Sequence, residues 1–581
     1  MTTSRLPCWG LIATAFLAPL LFLPGLSDPA HLPKALFLQL AALVLTGGWL
    51  FSLLRQESPR IELPNPLYPL LAFLLYGWST TLWSVNPRLG HDALLIWGAA
   101  IVFFLLTVNV LDSEEIPTLL AVLLGSTLIV SCLGIAQHLF LFEGIPQYAP
   151  PAATFANKNT AVHLLVLTFP VGVLLFLGSR ERLACWGTSL TLALMATYLV
   201  YTRTRAGWLA VTVELLCFAL YLRLHDVSRK HVVASWSGEK KRAALVALLL
   251  FLILIHLGPS GLTNGFGEIG ARLATLPPSH QNNSVRLAIW QNSLLLAEDH
   301  PLGGVGSGNF RVWYPLYHVH DSLIDRLETQ FAHNDYLHFL AEHGMAGTAL
   351  LLAALVFAVH RLTRLVLNKS LTPSQHLIAI AISLALGGSA INAFFCFPYQ
   401  LPLPPFVALL LVGIGYRLPL GKSSPPAYGV SKAIVATTFL AVLLALPPVL
   451  FRSARVIAAD HHLLNMVVAD QNRQWEIVLQ EGQKAVLFDP TRITLHSYMG
   501  KALLAQGYPR EAMTHLEAFL HGYPNDWNGL VNMGLAHLLV NEEQSALFYL
   551  NGSMQISPNN AKIKALSAIL KAHGQKSPTT K

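Results

Sequence analysis

The stretch "HDALLIWGAAIVFFLLTVNVL", His91 to Leu111, has one carboxylate at its second position and no charged side chain in the nineteen residues that follow. At about 1.5 Å per residue, such a run makes a helix as long as a bilayer's hydrocarbon core is thick, about 30 Å. A helix also satisfies its own backbone there, where no water can. Working outward, the same length criterion marks thirteen segments: 7–26, 33–53, 66–84, 91–111, 116–142, 159–178, 183–201, 207–223, 243–258, 345–361, 375–397, 402–417 and 432–451. Composition agrees, for the 581 residues are 54% hydrophobic and only 12% charged, with mean hydropathy +0.51. Water-soluble domains carry about 25% charged residues, so lipid must solvate most of the first 450. The first run lacks a small-residue cleavage site and leads at once into another span, so it reads as a retained helix rather than a signal peptide.

The net charge of +8 does not point to nucleic acid, because the basic residues gather in alternate connections between spans. One set holds Arg55 and Arg60, Arg180 and Arg182, Arg223 to Arg242, Arg361 to Lys369, and Arg417 to Lys432. The acidic "DSEE" at Asp112 to Glu115 is the exception in that set. By the positive-inside rule these connections and the N-terminus are cytoplasmic. The long connection, about 258–341, and everything after the last span then face outward. Lys34, Lys158, Arg203, Arg205 and Arg286 lie on that outer side against the rule and require another reason to be there. The five cysteines (Cys8, Cys132, Cys185, Cys217, Cys396) show no paired spacing and read as buried structural thiols.

After Ala458 the composition becomes that of a soluble helical domain. Pro490, Pro524 and Pro558 are 34 residues apart, as are Gly500 and Gly534, and Ala512 and Ala546. This is the period of tetratricopeptide (TPR) repeats, in which small residues let paired helices approach closely. The repeat ending at Pro490 is degenerate. Such a domain either binds a protein partner or serves as a packing module. The boundaries expected are a transmembrane domain over 1–454 and a repeat domain over 455–581.

Four outer stretches carry polar groups. "TFANKNTAVHL", Thr154 to Leu164, offers Asn157, Lys158 and Asn159, either as a helix cap or as ligand contacts. "YTRTRAGWLA", Tyr201 to Ala210, puts Arg203 and Arg205 in a short turn, where arginine lines a polar cavity, pairs with an anion or snorkels to the interface. In "NNSVRLAIWQNSLLLAEDHPLGGVGSGNF", Asn282 to Phe310, Ser284 can cap a helix that carries Arg286 in its first turn. The Gly303, Gly304, Gly306 and Gly308 series follows that helix, so it is a tight turn and not a nucleotide loop. In "TQFAHNDYLHFLAEHGMAG", Thr329 to Gly347, the histidines 333, 338 and 343 are five apart. On a helix that spacing separates them by about 140°. A three-histidine metal site is disfavoured, and His333 is nearest the aqueous face.

In this order and on one side of a many-span chain, "TFANKN", "TRTRAG", "RLAIWQNSLLLAEDHPLGGVGSGNF" and "AHNDYLHFLAEHGMAG" resemble the O-antigen ligase and polymerase superfamily. The resemblance covers roughly residues 10–450 and leaves out the repeat tail. It implies an all-α fold: a polytopic, GT-C-like membrane helix bundle of about thirteen transmembrane helices, followed by the soluble α-helical repeat domain. It also implies a glycosyltransferase of the bacterial inner membrane. The donor would be a glycan on undecaprenyl pyrophosphate, and the acceptor lipid A-core, another glycan or a protein hydroxyl at the periplasmic face. By the same resemblance Arg205, Arg286 and His333 match the family's essential residues, while Arg203, Lys158, Asn157, Asn159 and Asn334 are candidate substrate contacts. Thr204 stands where many relatives have serine, and "AHN" where ligases often have paired histidines.

The chemistry is compatible with those residues. Pyrophosphate is a good leaving group that needs charge stabilisation, which guanidinium groups can supply. Two arginines can therefore stand in for a metal, and no cofactor is implied. A histidine can accept the proton of an acceptor hydroxyl. The expected partners are the donor, the acceptor, membrane lipid and a protein held by the repeats, with no nucleic acid. The alternative of another class is a lipid-linked-sugar transporter, which would place ionisable residues mid-span on several helices or repeat its transmembrane half. No such repeat is visible.

Overall fold

The computed structural model describes residues 5–275, 281–317, 329–420, 425–561 and 563–566, with side chains at all of these except 281–283. Lys422 and the chain beyond 566 lie outside the described residues, as do parts of the long outer connection. The first half forms α1 (Leu6–Leu17), α2 (His31–Leu54), α3 (Leu67–Thr80), α4 (Pro87–Val110), α5 (Ile116–Phe140), α6 (Lys158–Gly178), α7 (Arg182–Tyr201), α8 (Arg205–Leu224), α9 (Asp226–Ser235) and α10 (Gly238–Leu254). The long connection holds α11 (Gly265–Leu273), α12 (Gln281–Asp299) and the single turn α13 (Phe310–Trp313). Then come α14 (Asp335–Leu367), α15 (Pro373–Ala393), α16 (Leu403–Arg417) and α17 (Lys432–Gln471). The tail is α18 (Trp475–Phe488), α19 (Thr494–Ala505), α20 (Pro509–Gly522), α21 (Trp527–Leu539) and α22 (Glu543–Ile556).

Each of the thirteen segments read from the sequence contains a helix. Among the described residues, nine helices are long and apolar enough to cross a membrane. The other four segments hold α1, α3, α10 and α16, of 12, 14, 17 and 15 residues. At about 1.5 Å per residue they reach only about 18–26 Å, so they need a neighbour, a 3-10 extension or a thinned bilayer to complete a crossing. The fold is an all-α membrane bundle with a helical tail.

Helix α6 is the axis of the bundle. From Thr160 onward its side chains are mostly apolar all round, with Thr160, His163 and Thr168 the exceptions, and all as far as Gly172 are buried, as expected of a helix with no lipid-facing stripe. It packs against α15, α7, α5 and α8. Helix α17 is the opposite case: apolar, lipid-facing along its span, and packed on α2. Cys132 and Cys217 also face outward, unlike the buried Cys8, Cys185 and Cys396. The expectation of five buried thiols fails because lipid solvates a thiol as readily as a protein core does.

Several basic residues of the alternate connections also have packing roles. Arg361 donates to the carbonyl of Leu418 at 2.7 Å, and Lys240 to that of Leu177 at 2.6 Å, each closing the end of a helix. Strand β1 (Arg60–Glu62) pairs antiparallel with β4 (Ala427–Gly429) at that end, and a small hairpin of β2 (Leu257–Gly258) and β3 (Gly261–Leu262) lies at the other.

The 40 residues of α17 make a helix about 60 Å long, so it is at once the last span and the first helix of the tail. The boundary expected at 454/455 falls inside it. Its last turns place Leu463, Met466 and Ala469 in a core with Val478, Ala485, Leu495 and Met499. The degenerate first repeat is therefore the pair made by the end of α17 and α18. The pairs α19–α20 and α21–α22 follow. A Cβ on Gly500 or Gly534 would meet Leu516 or Leu550 at 2.7 and 2.9 Å, which explains why glycine recurs at that step.

The tail sits against one end of the bundle. Arg88 at the start of α4 forms a bidentate pair with Asp489, one arm at 2.6 Å. Asp460 accepts from Ser27 Oγ at 2.7 Å and from the Asp28 amide at 3.1 Å. Asn525 donates to the Val312 carbonyl at 3.0 Å.

Candidate functional site

The same end of the bundle carries the polar stretches read from the sequence. Between α7 and α8 only Thr202, Arg203 and Thr204 remain, so the chain reverses through Arg203 at φ 54°. That left-handed backbone is costly for a residue other than glycine, asparagine or aspartate. Thr204 precedes α8, and its hydroxyl donates to Asn159 Oδ1 at 2.9 Å, tying the turn to the start of α6. The turn thereby fixes Arg205 as the first residue of α8, with its guanidinium donating to the Thr275 carbonyl and, at 3.2 Å, to the Thr275 hydroxyl. Arg203 forms an ion pair with Glu268, and Arg272 Nε donates to the Arg203 carbonyl at 3.0 Å. Helix α11 is thus clasped to the arginine turn from its middle to its end.

Helix α12 begins at Gln281, so Ser284 lies inside its first turns rather than capping it, and Arg286 is one turn further in than expected. Arg286 points its charge into the same neighbourhood, close enough to act on Arg205, Arg272 and His333. Lys158 likewise lies within reach of the Arg203 and Arg272 charges. Burial, then the Arg286 and Arg203 charges, lowers the Arg272 pKa, as expected for like charges crowded together.

His333 stands at the mouth of α14 with φ 52°, two residues before the helix starts. Its carbonyl accepts from Trp290 Nε1 of α12 at 3.3 Å, and its ring meets Phe397 edge-on at 5.1 Å. Burial, then the Arg286 charge, then His338, holds its pKa down at about 4. At neutral pH it is a free base, able to accept a proton.

The other two histidines are in the core. His338 lies 3.3 Å from the Glu342 carboxylate. That carboxylate also accepts from the backbone N–H of Gly308 at 2.9 Å and of Phe310 at 3.0 Å. His343 Nε2 is 2.9 Å from Ser307 Oγ. These bonds hold the glycine turn against α14, which breaks at Gly344 (φ 60°) to let the turn in. Gly304, Gly306 and Gly308 all have positive φ, and a Cβ on Gly304 would lie 2.3 Å from the Glu342 backbone. Among the described residues no three His, Cys, Asp or Glu side chains are arranged to hold a metal ion.

Of the residues singled out by sequence, the structure brings Lys158, Arg203, Arg205, Arg286 and His333 to one region. Asn157 and Asn334 are helix caps: Asn157 Oδ1 accepts from the Asn159 amide at 2.9 Å, and Asn334 Oδ1 from the Leu337 amide at 3.2 Å. Lys34, expected on the outer side, is buried and donates to the Thr154 carbonyl at 2.7 Å, so it holds the start of the 154–159 segment. Sequence reading missed Glu268, Arg272 and Thr275. Arg272 carried a usable signal, since it is another cation in the long connection that the charge pattern assigns to the outer side. It also missed Glu214, buried midway along α8, with both carboxylate oxygens lacking hydrogen-bond partners among the described residues.

The fold and this end of the bundle define a polytopic membrane protein with a cation-rich face. Residues 190–352 match the family model described as O-antigen ligase. The match contains Arg203, Arg205, Arg272, Arg286, His333 and Asn334 and stops short of Lys158. No curated protein matches. Among solved structures, the crystal structure of the APC/C hetero-tetramer Cut9–Hcn1 aligns at 16% identity over 86% of this chain and 98% of that one, with a TM-score of 0.18.

Proposed function

We propose that this membrane glycosyltransferase moves a glycan from undecaprenyl pyrophosphate to an acceptor hydroxyl at the periplasmic face of the inner membrane, as an O-antigen ligase acting on lipid A-core. The observation that carries the reading is the convergence of Arg205, Arg286 and Lys158 with one neutral histidine, His333, at the repeat-domain end of the bundle. The acceptor oxygen attacks the anomeric carbon while His333 takes its proton, so base catalysis acts where the bond forms. The bond from that carbon to the pyrophosphate oxygen breaks, and undecaprenyl pyrophosphate leaves with the electron pair. Arg205 and Arg286 hold the charge that grows on it. His333 then passes its proton to water. A single displacement of this kind inverts the anomeric configuration and routes no step through a metal.

The basic set at the opposite end supports a cytoplasmic N-terminus, which leaves the site and the repeats outside. Deleting the gene and separating surface glycans by electrophoresis tests the subtype. Loss of all attached glycan, with lipid-linked polymer accumulating, supports the ligase. A single retained unit makes it a polymerase, and unchanged lipopolysaccharide with an unglycosylated protein makes it a protein glycosyltransferase. Normal transfer by inserted His333→Ala and Arg286→Ala variants defeats the mechanism.

A further inference from the structure

Two residues of α11 belong to no expectation drawn from the sequence, yet both touch the arginine turn. Glu268 and Arg272 are four apart, hence on one face of the helix, and that face lies on Arg203: one through an ion pair, the other through a bond to the Arg203 carbonyl. The opposite side carries Phe266 and Leu273, both exposed. Arg272 is close enough to Arg205, Arg286 and Lys158 to feel their charges. Among the described residues, five cations (Lys158, Arg203, Arg205, Arg272 and Arg286) therefore share a small volume, and Glu268 is ion-paired within it. Like charges so gathered favour an incoming polyanion.

We propose that Arg272 is a ligand of the donor's pyrophosphate and that Glu268 is the anion's internal substitute, holding Arg203 until the phosphates arrive. This rests on the glycosyl-transfer reading and deepens it. A glycan-linked pyrophosphate is a diester with two negative charges. When the sugar departs, the pyrophosphate becomes a monoester of the lipid alone, and a third charge develops on its terminal phosphate. Arg205 and Arg286 answer the two charges of the donor, and Arg272 answers the third. Its contribution is therefore larger for the free pyrophosphate than for a lipid monophosphate. Glu268 competes with the phosphates for Arg203, so neutralising it favours the ligand.

The test measures binding of farnesyl pyrophosphate and farnesyl monophosphate to the purified full chain in lipid nanodiscs. The expected result is that Arg272→Ala weakens pyrophosphate about tenfold or more, as for loss of one charge-assisted contact. Its preference for pyrophosphate over monophosphate falls as well, and Arg272→Lys recovers part of both. Glu268→Gln is expected to tighten pyrophosphate severalfold, a gain that damage to the fold cannot produce. If Arg286→Ala weakens binding while Arg272→Ala leaves affinity and preference unchanged, this assignment is overturned and the transfer reading stands. If the wild-type chain shows no preference for pyrophosphate, both fall. Tightening absent in Glu268→Gln removes the role given to Glu268.

Discussion

The most direct consequence of the site's electrostatics is its pH dependence. An exposed histidine titrates near 6.5, whereas burial and the neighbouring Arg286 hold His333 at about 4. The gap between those values corresponds to about 3 kcal/mol against the charged imidazole. The groups facing it are Arg286 from α12 and His338 from α14, with Trp290 and Phe397 supplying apolar cover. For a base, the neutral form is the active one. At pH 5 an unperturbed histidine is about 3% neutral, and one with a pKa of about 4 is about 90% neutral, a ratio of about 30. kcat/KM reports the free enzyme, so its profile should stay level down to about pH 5 and fall with a midpoint near 4. Phe397→Ala opens the ring to water and should move that midpoint upward by about one unit, toward the solvent value. The assay is transfer of a radiolabelled lipid-linked glycan in nanodiscs from pH 3.5 to 8, with tail-domain integrity followed in parallel. A wild-type midpoint between 6 and 7 would refute the reasoning, since the buried, arginine-flanked imidazole could not then be the titrating base.

Other perturbations test the scaffold. Arg88→Ala leaves the Asp489 carboxylate without its bidentate partner and should weaken tail docking by about 1.5–3 kcal/mol, read as faster hydrogen exchange in α18 and α19. The charge swap Arg88→Asp with Asp489→Arg should restore much of it. Arg88 holds the Asp489 pKa below the usual carboxylate value against the opposing effect of burial. The contribution is therefore present above about pH 4 and lost as pH falls through the lowered value. Gly344→Ala would put a Cβ 2.3 Å from the Leu302 carbonyl oxygen at φ 60°, and should cost about 1–3 kcal/mol or more, seen as a lower Tm. Gly388→Ala would place its Cβ 1.7 Å from Glu214 Oε1. It should destabilise the α8–α15 contact, and Glu214→Ala should relieve that loss; simple additivity of the two would refute the packing.

What could be read from the sequence follows the solvent each segment meets. The spans were legible because lipid imposes one length and one composition, and even the four short ones appear as helices in place. The repeats were legible through glycines such as Gly500, whose missing side chain is a contact distance. Helix α11 was not legible. It has nine residues, looks like a polar connection, and acquires meaning only because Glu268 and Arg272 meet Arg203 from 65 and 69 positions away. The first repeat looked degenerate because its first helix is the end of α17, and a boundary drawn at 454/455 cuts that helix in two. The five-residue histidine spacing was the converse case, an apparent pattern with no common site. His338 and His343 hold the glycine turn, and His333 alone stands before the helix.

That glycine turn links the tail to the chemistry. It is fastened to α14 through Glu342, whose carboxylate takes two backbone N–H bonds from the turn and faces His338 on the third side. Five residues before His338, the same chain carries His333. On its other face the turn runs into Val312, held by Asn525 of the tail, while Gly308 and Asn309 abut the start of α4, from which Arg88 reaches Asp489. Glu342 is buried, so its bonds cannot be exchanged for water without leaving a charge unpaired, which makes the turn and the start of α14 move together. A tail that shifts must therefore either break Asn525 and Arg88 from their partners or carry the turn with it. In the second case the displacement arrives at His333, which Trp290 and Phe397 hold. The repeat domain is on these grounds part of what positions the site.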